Sequence, residues 1–195
     1  MEITKEYLSQ SKVINEGTTC FIMKHESGDV FKIYKSAKDY VEGTKEYDLE
    51  EDYILNKLNY IVSMKDEVFL TDLPNEVLLN NGKPVGVKMK YYDNVISLKE
   101  FLLNNDVNLE YIKQELLKIV NELISKGIIP TDPHFENFMV TFNDLGDFRI
   151  NMIDVDDFYV SVYPNGKRDV FYNSEVSTCY RVIDLAFDDL KQNKK

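Results

Sequence analysis

The sequence has no tryptophan, two cysteines, five prolines and eight glycines in 195 residues. So few breakers argue against a disordered or fibrous chain. Cys20 and Cys179 are far apart and lack metal-ligand spacing. Two such residues make neither a disulfide framework nor a zinc site, and a reducing, cytoplasmic setting is expected. No apolar run approaches the length that spans a bilayer, so no membrane partner is expected. Met1–Lys5 lacks the basic and apolar blocks of a signal peptide. Positive charge is also scarce: 23 Lys and Arg face 34 Asp and Glu, for a net charge of −11. Such a field repels phosphate backbones and excludes nucleic acid as a general partner. It repels a nucleotide too, so any nucleotide site must bring its own lysine and metal.

Hydrophobic residues are plentiful at 44% of the chain, with 13 Tyr and 11 Phe. That suffices for one core, or for two small lobes. Val13-Ile14 and Cys20–Met23 flank Glu16-Gly17-Thr18-Thr19, which predicts two strands and a tight turn. Val30–Tyr34 follows as a third strand. Tyr47, Ile54, Leu55, Leu58 and Ile61 then fall at helical spacing. Further strands are expected at Val68–Leu70, Val77–Leu79 and Val85–Met89, with Asn81-Gly82 as a hairpin turn. The second half opens with a capping box, Ser97 and Glu100. Asn108 caps a long helix carrying Ile112, Leu116, Ile119, Val120, Leu123 and Ile124, and Lys126-Gly127 ends it. Two short strands are expected at 138–142 and 148–153, and a last helix from about Ser174 to Leu190. The order is α+β, with a boundary near Tyr91–Val95 that divides residues 1–92 from 93–195.

The chemistry concentrates in Asp132-Pro133-His134-Phe135-Glu136-Asn137 and in Met152-Ile153-Asp154-Val155-Asp156-Asp157. Asp132 precedes a proline, which biases it to an extended backbone. Asn137 opens one apolar strand and Asp154 ends the next, so a hairpin brings a carboxamide and a carboxylate to one edge. Oxygen ligands of this kind suit Mg²⁺, which also takes waters and substrate phosphates. Each residue taken singly is an ordinary turn former; their order and setting give them weight together.

These two segments resemble the catalytic loop and magnesium-binding segment of the protein kinase-like superfamily. His134, two residues after Asp132, is similar to aminoglycoside and choline phosphotransferases, within a minimal bacterial-type kinase that also resembles RIO-type kinases. The resemblance implies a two-lobed fold: a nucleotide-covering N-lobe sheet with one helix, and a truncated, mainly helical C-lobe. It implies ATP and Mg²⁺, with Asn137 and Asp154 as metal ligands and Asp132 as the catalytic acid–base. Lys32 would contact phosphates and be oriented by Glu51, with Glu46 and Glu50 as alternatives and Lys35 as a substitute for Lys32. His134 would sit near the transferred group. Gly17, Thr18 and Thr19 would cover the phosphates, and the strand end at Met89–Tyr91 would meet adenine. Asp184 would anchor the catalytic loop. The acceptor is a hydroxyl, on a protein or, less favoured, on a small molecule.

Two departures matter. Pro130 stands where the family usually has a histidine, and the phosphate loop has one glycine. A nucleotide-binding pseudokinase is therefore a rival reading. A metal-dependent hydrolase using Asp132, Asp154, Asp156 and Asp157 is another, although it leaves Lys32 and Glu51 idle.

Overall fold

The structure, a computed structural model, describes residues 1–17, 19–35, 48–155, 158–161 and 171–193, without the side chains of 48–53 and 193. The chain divides into two compact units. One comprises Met1–Lys65 and Leu73–Tyr91, the other Asp66–Asp72 and Tyr92–Lys195.

The first unit opens with a short helix that the sequence pattern does not announce, α1 (Lys5–Ser9), capped by the Thr4 hydroxyl. A five-stranded antiparallel sheet follows, from β1 (Ser11–Glu16), β2 (Cys20–His25), β3 (Val30–Tyr34), β4 (Glu76–Asn80) and β5 (Lys83–Met89). Their spatial order is β1-β2-β3-β5-β4, which makes β3 the central strand. Phe31 and Ile33 face one side, where they form a core with Ile3, Leu78 and Val85. On the other side Val77 and Val87 pack against Leu58 of helix α2 (Asp48–Ser63), with Ile54 and Leu55 alongside. Side chains of this size each contribute about 1.5–3 kcal/mol when fully buried.

Asn81 and Gly82 both take positive φ, 51° and 79°, in the two-residue turn that the sequence marks. Gly86 answers a different need. A Cβ there would lie 2.0 Å from the Lys32 carbonyl oxygen, because β5 passes directly beside β3.

The second unit contains β6 (Ile96–Ser97), α3 (Leu98–Asn104), α4 (Leu109–Ser125), β7 (Ile128–Ile129), β8 (Phe138–Phe142), β9 (Phe148–Met152), β10 (Tyr159–Val160) and α5 (Tyr172–Asn193). β8 pairs with both β6 and β9, and β7 pairs with β10. Ser97 accepts the Glu100 amide and Asn108 accepts the amides of Glu110 and Tyr111, so both expected caps form. The expected stripe of α4 is buried in full, from Ile112 to Ile124. Gly127 ends α4 with φ 73°.

Two expectations are corrected here. Val68–Leu70 is not a strand, and the segment Asp66–Asp72 packs with the second unit rather than the first. The reason is polar. The Glu122 carboxylate accepts the amides of Phe69 and Leu70, the Arg149 guanidinium donates to the Phe69 carbonyl, and the Met152 amide donates to Thr71. A backbone satisfied by side chains has no need of a neighbouring strand. Burial also pushes the Cys179 thiol of α5 up to about 12.

Replacing Gly86 by alanine is expected to cost about 1–3 kcal/mol through overpacking against β3. Gly82→Ala meets open space, and its cost is left-handed strain of about 1 kcal/mol. Urea unfolding midpoints of the two variants should rank in that order.

Candidate functional site

The second unit brings the loop of Asp132, His134 and Asn137 next to the strand end that leads to Asp154. The loop from Pro130 to Asn137 leaves β7, makes a single turn of 3-10 helix at Phe135–Asn137 and enters β8. Pro130 and Pro133 are buried, and Phe135 seats its ring edge-on to Phe187 of α5, with centroids 4.9 Å apart. Asp132 is lifted into solvent between these anchors, its side chain 63% exposed.

Asn137 organises the site. Its Nδ2 donates to the Asp132 carbonyl at 2.8 Å. Its own carbonyl accepts the Ile153 amide at 2.8 Å, extending the β8–β9 ladder to the residue before Asp154. His134 accepts the Asn137 amide, and its own amide donates to Asp132. With Pro130 where a supporting histidine was expected, these bonds order the loop.

Asp154 has φ 67°, left-handed for a residue that is not glycine. That conformation costs about 1–3 kcal/mol and persists only where the surroundings impose it, commonly at functional sites. The Asn137 carboxamide, with its nitrogen committed to the loop, presents an Oδ1 that takes no hydrogen bond among the described residues. An oxygen of this kind beside the segment that carries Asp154 fits a hard dication, which completes its shell with water and phosphate. No group of three or more His, Cys, Asp or Glu residues placed to hold a metal occurs among the described residues. Asp156 and Asp157, needed by the hydrolase reading, lie outside them.

The remaining loop groups also take definite positions. His134 Nε2 lies 3.3 Å from Asp132 Oδ2, while its buried Nδ1 has no partner among the described residues. Lys99 of α3 donates to Glu136 at 2.6 Å and holds that carboxyl below its ordinary range. A cavity of about 260 Å³ opens against the loop, lined by Lys99, Leu103, His134, Phe135, Asp189 and Leu190 among others. Sequence reasoning missed it because its walls come from α3, the loop and α5, which no local pattern connects. Asp184 does not anchor the loop. It pairs with Lys113 of α4 at 2.7 Å and is 59% exposed, so it joins two helices at the surface.

In the first unit, Lys32 is 2% exposed, opposite Ile22 and Val87 in the central strand. A solvated edge lysine is thereby excluded. Buried ammonium groups are retained with partners, and Lys32 shares its sheet face with the Val77–Val87–Leu58 core under α2. Glu50 and Glu51 lie in α2, but their side chains, like all of Glu46, are outside the described residues. Lys35 pairs with Glu16 at 2.8 Å at the strand end. In the turn, Gly17 donates its amide to Cys20, the Thr19 carbonyl accepts the Lys35 amide, and Thr18 is outside the described residues. Met89 ends β5, and Tyr91 lies under the Lys24 ammonium.

No protein-family model matches the sequence, and no curated protein matches it. Among solved structures, the chain is similar to the Rio2 kinase of Chaetomium thermophilum, determined as an ADP/Mg²⁺-phosphoaspartate complex. The TM-score is 0.51 at 13% identity, over 93% of this chain. The fold is protein kinase-like. At that identity the likeness carries the fold alone, and the chain spans 60% of the kinase's length. Among the described residues, no helix is long and apolar enough to cross a membrane.

Asn137→Ala removes the clasp on the Asp132 carbonyl while sparing the backbone bond to Ile153. The expected stability loss is about 1 kcal/mol, measured by urea denaturation. Amide exchange should speed up at His134 and stay slow in α4.

Proposed function

We propose that the protein is a phosphotransferase that uses ATP and Mg²⁺ to phosphorylate a hydroxyl. The observation that carries this reading is the Asn137 clasp, which ties the loop of Asp132 to the strand end of Asp154 and leaves a carboxamide oxygen for a metal. Asn137 and Asp154 would hold Mg²⁺, which when bound neutralises phosphate charge and bridges phosphoryl oxygens. Asp132, exposed and next to His134, orients the acceptor hydroxyl and takes its proton. His134 sits on the acceptor side, beside the cavity it helps to line.

Lys32 contributes the cation for the nucleotide phosphates, and Glu51 is the acid assigned to orient it. The support is placement: α2 lies against the sheet face that Lys32 shares. Gly17, Thr18 and Thr19 cover the phosphates, and backbone groups at Met89 and Tyr91 receive the adenine. A protein hydroxyl is favoured as acceptor over a small alcohol. The kinship with aminoglycoside and choline phosphotransferases rests on His134. The cytoplasm is the proposed location, in keeping with two free, buried cysteines. The pseudokinase reading draws on Pro130 and the one-glycine turn.

Melting temperature and transfer of labelled γ-phosphate separate these readings. Mg·ATP should raise the melting temperature of wild type and of Asp132→Ala. It should fail to do so for Asp154→Ala and Lys32→Met. Transfer by Asp132→Ala should fall at least about 100-fold, the scale of a lost acid–base group. Nucleotide binding without transfer to protein, small alcohol or water would establish the pseudokinase. No nucleotide effect on wild type would refute both.

A further inference from the structure

Away from the loop of Asp132, the second unit keeps a strand edge that no other strand covers. β9 stands at the end of its sheet, in the order β6-β8-β9. In an antiparallel ladder, successive residues turn their N–H and C=O alternately toward the neighbouring strand and away from it. Ile153 donates its amide to Asn137, on the β8 side. Met152 does the opposite: its amide donates to the Thr71 hydroxyl, and its carbonyl accepts from the same hydroxyl. The β8–β9 register runs without a shift from Phe138–Met152 to Phe142–Phe148. Ile150 and Phe148 therefore also turn their backbone groups outward. Thr71 closes the edge at Met152, but those of Ile150 and Phe148 meet no partner among the described residues. An open edge of this kind is a template for a further strand.

Phe148, Arg149 and Ile150 of that edge line a groove of about 230 Å³, whose other walls include Phe69, Leu70 and Tyr111. Phe69 is 74% exposed and Tyr111 53%. The backbone under Phe69 and Leu70 is nevertheless fixed, because the Glu122 carboxylate holds both amides. Apolar side chains presented to water from a fixed backbone mark a binding surface. Arg149 leaves β9 on the face opposite Phe148 and Ile150. Its guanidinium reaches across the edge to the Phe69 carbonyl at 3.1 Å, which keeps it at the groove. Lys35, Lys88, Lys113 and Lys126 each sit on a carboxylate, whereas Arg149 has none among the described residues. The other charges of the groove, Lys118 and Glu115, neutralise each other at 2.6 Å.

We propose that this groove binds an extended segment of another protein, which adds to β9 as a strand and sets a carboxylate side chain on Arg149. Main-chain bonds to Phe148 and Ile150 provide affinity, and the side chains beside them provide selection. The alternation of a strand fixes the pattern. An acid that faces Arg149 has both its neighbours on the groove face, where Phe69, Leu70 and Tyr111 receive apolar side chains. The recognised sequence is therefore apolar–acidic–apolar. A guanidinium with donors to spare takes a carboxylate in a forked, charge-assisted contact. A basic segment would instead meet a like charge, and a small apolar molecule would leave both Arg149 and the strand edge unpaired. The site belongs to the second unit alone and does not depend on the phosphotransferase reading.

The full chain, ¹⁵N-labelled, is titrated with end-capped heptapeptides in which a central glutamate is flanked by every pairing of Val, Ile, Leu, Phe and Tyr. Saturable shifts of the Phe148 and Ile150 amide signals, with slower hydrogen exchange at both, are expected from the best of them. Changing its glutamate to glutamine, or Arg149→Gln in the protein, should each weaken binding about tenfold, the value of one charge-assisted contact. The two changes together should weaken it no further, because they remove the same contact. N-methylation of the peptide amides that face β9 should abolish binding. Phe69→Ser, at an exposed position, should also weaken it while the α4 signals stay in place, showing that the fold is intact. No saturable binding by any peptide, binding that tolerates N-methylation, or equal binding by wild type and Arg149→Gln would overturn the proposal. So would self-association of the peptide-free chain in sedimentation that Phe69→Ser abolishes, since a second copy would then be the occupant.

Discussion

One carboxamide determines the geometry of the loop from Pro130 to Asn137. Asn137 uses its side-chain nitrogen to hold the Asp132 carbonyl and its own carbonyl to hold the Ile153 amide. The two segments that carry the acids are thus joined through a single residue. The clasp is economical because Asn137 leads into β8 and Ile153 follows β9, strands that are paired over five residues, with β9 packed against α4, whose apolar stripe is buried. Loops that carry chemistry need this kind of support, since an unheld carboxylate samples too many positions to act. Asp154 takes its left-handed backbone one residue after the ladder bond from Ile153 to Asn137.

The first unit treats charge in the opposite way. Asp132 is exposed on a loop, whereas Lys32 is buried in the central strand of a sheet, where a lone ammonium is strongly disfavoured. Its strand is fixed on both sides, Lys32 lying opposite Ile22 of β2 and Val87 of β5, and a buried charge is kept where it is paired. Gly86 is part of that accommodation, giving up a side chain so that β5 can lie against the Lys32 carbonyl. Burial strengthens electrostatic interactions, so a lysine held in this way has a larger effect on an anion than one at the surface. Lys35, paired with Glu16 at the strand end, illustrates the weaker alternative.

Much of this was legible in the residues, for reasons that are local. Asn81-Gly82, the Ser97 and Asn108 caps, the stripe of α4 and the Gly127 stop each depend on residues within a few positions, and each formed where expected. The strand of Lys32 was legible for the same reason, since Val30–Tyr34 is a dense apolar run. Val68–Leu70 was misread because its composition suits a strand while its backbone is satisfied by Glu122, far away in the chain. Asp184 was misread because its segment resembles the family's anchoring helix, whereas it pairs with Lys113 of α4.

The sequence by itself singled out the side chains proposed to carry the chemistry, because a carboxylate, a carboxamide or an ammonium has the same bonding capacity wherever it stands. It also determined the local elements, through periodicity, caps and turn residues. Tertiary structure alone decided that Lys32 is buried, that Asn137 clasps Asp132 and that Asp66–Asp72 joins the second unit. Each of these depends on which segments meet in space, and that follows from how the whole core packs rather than from any short window of residues.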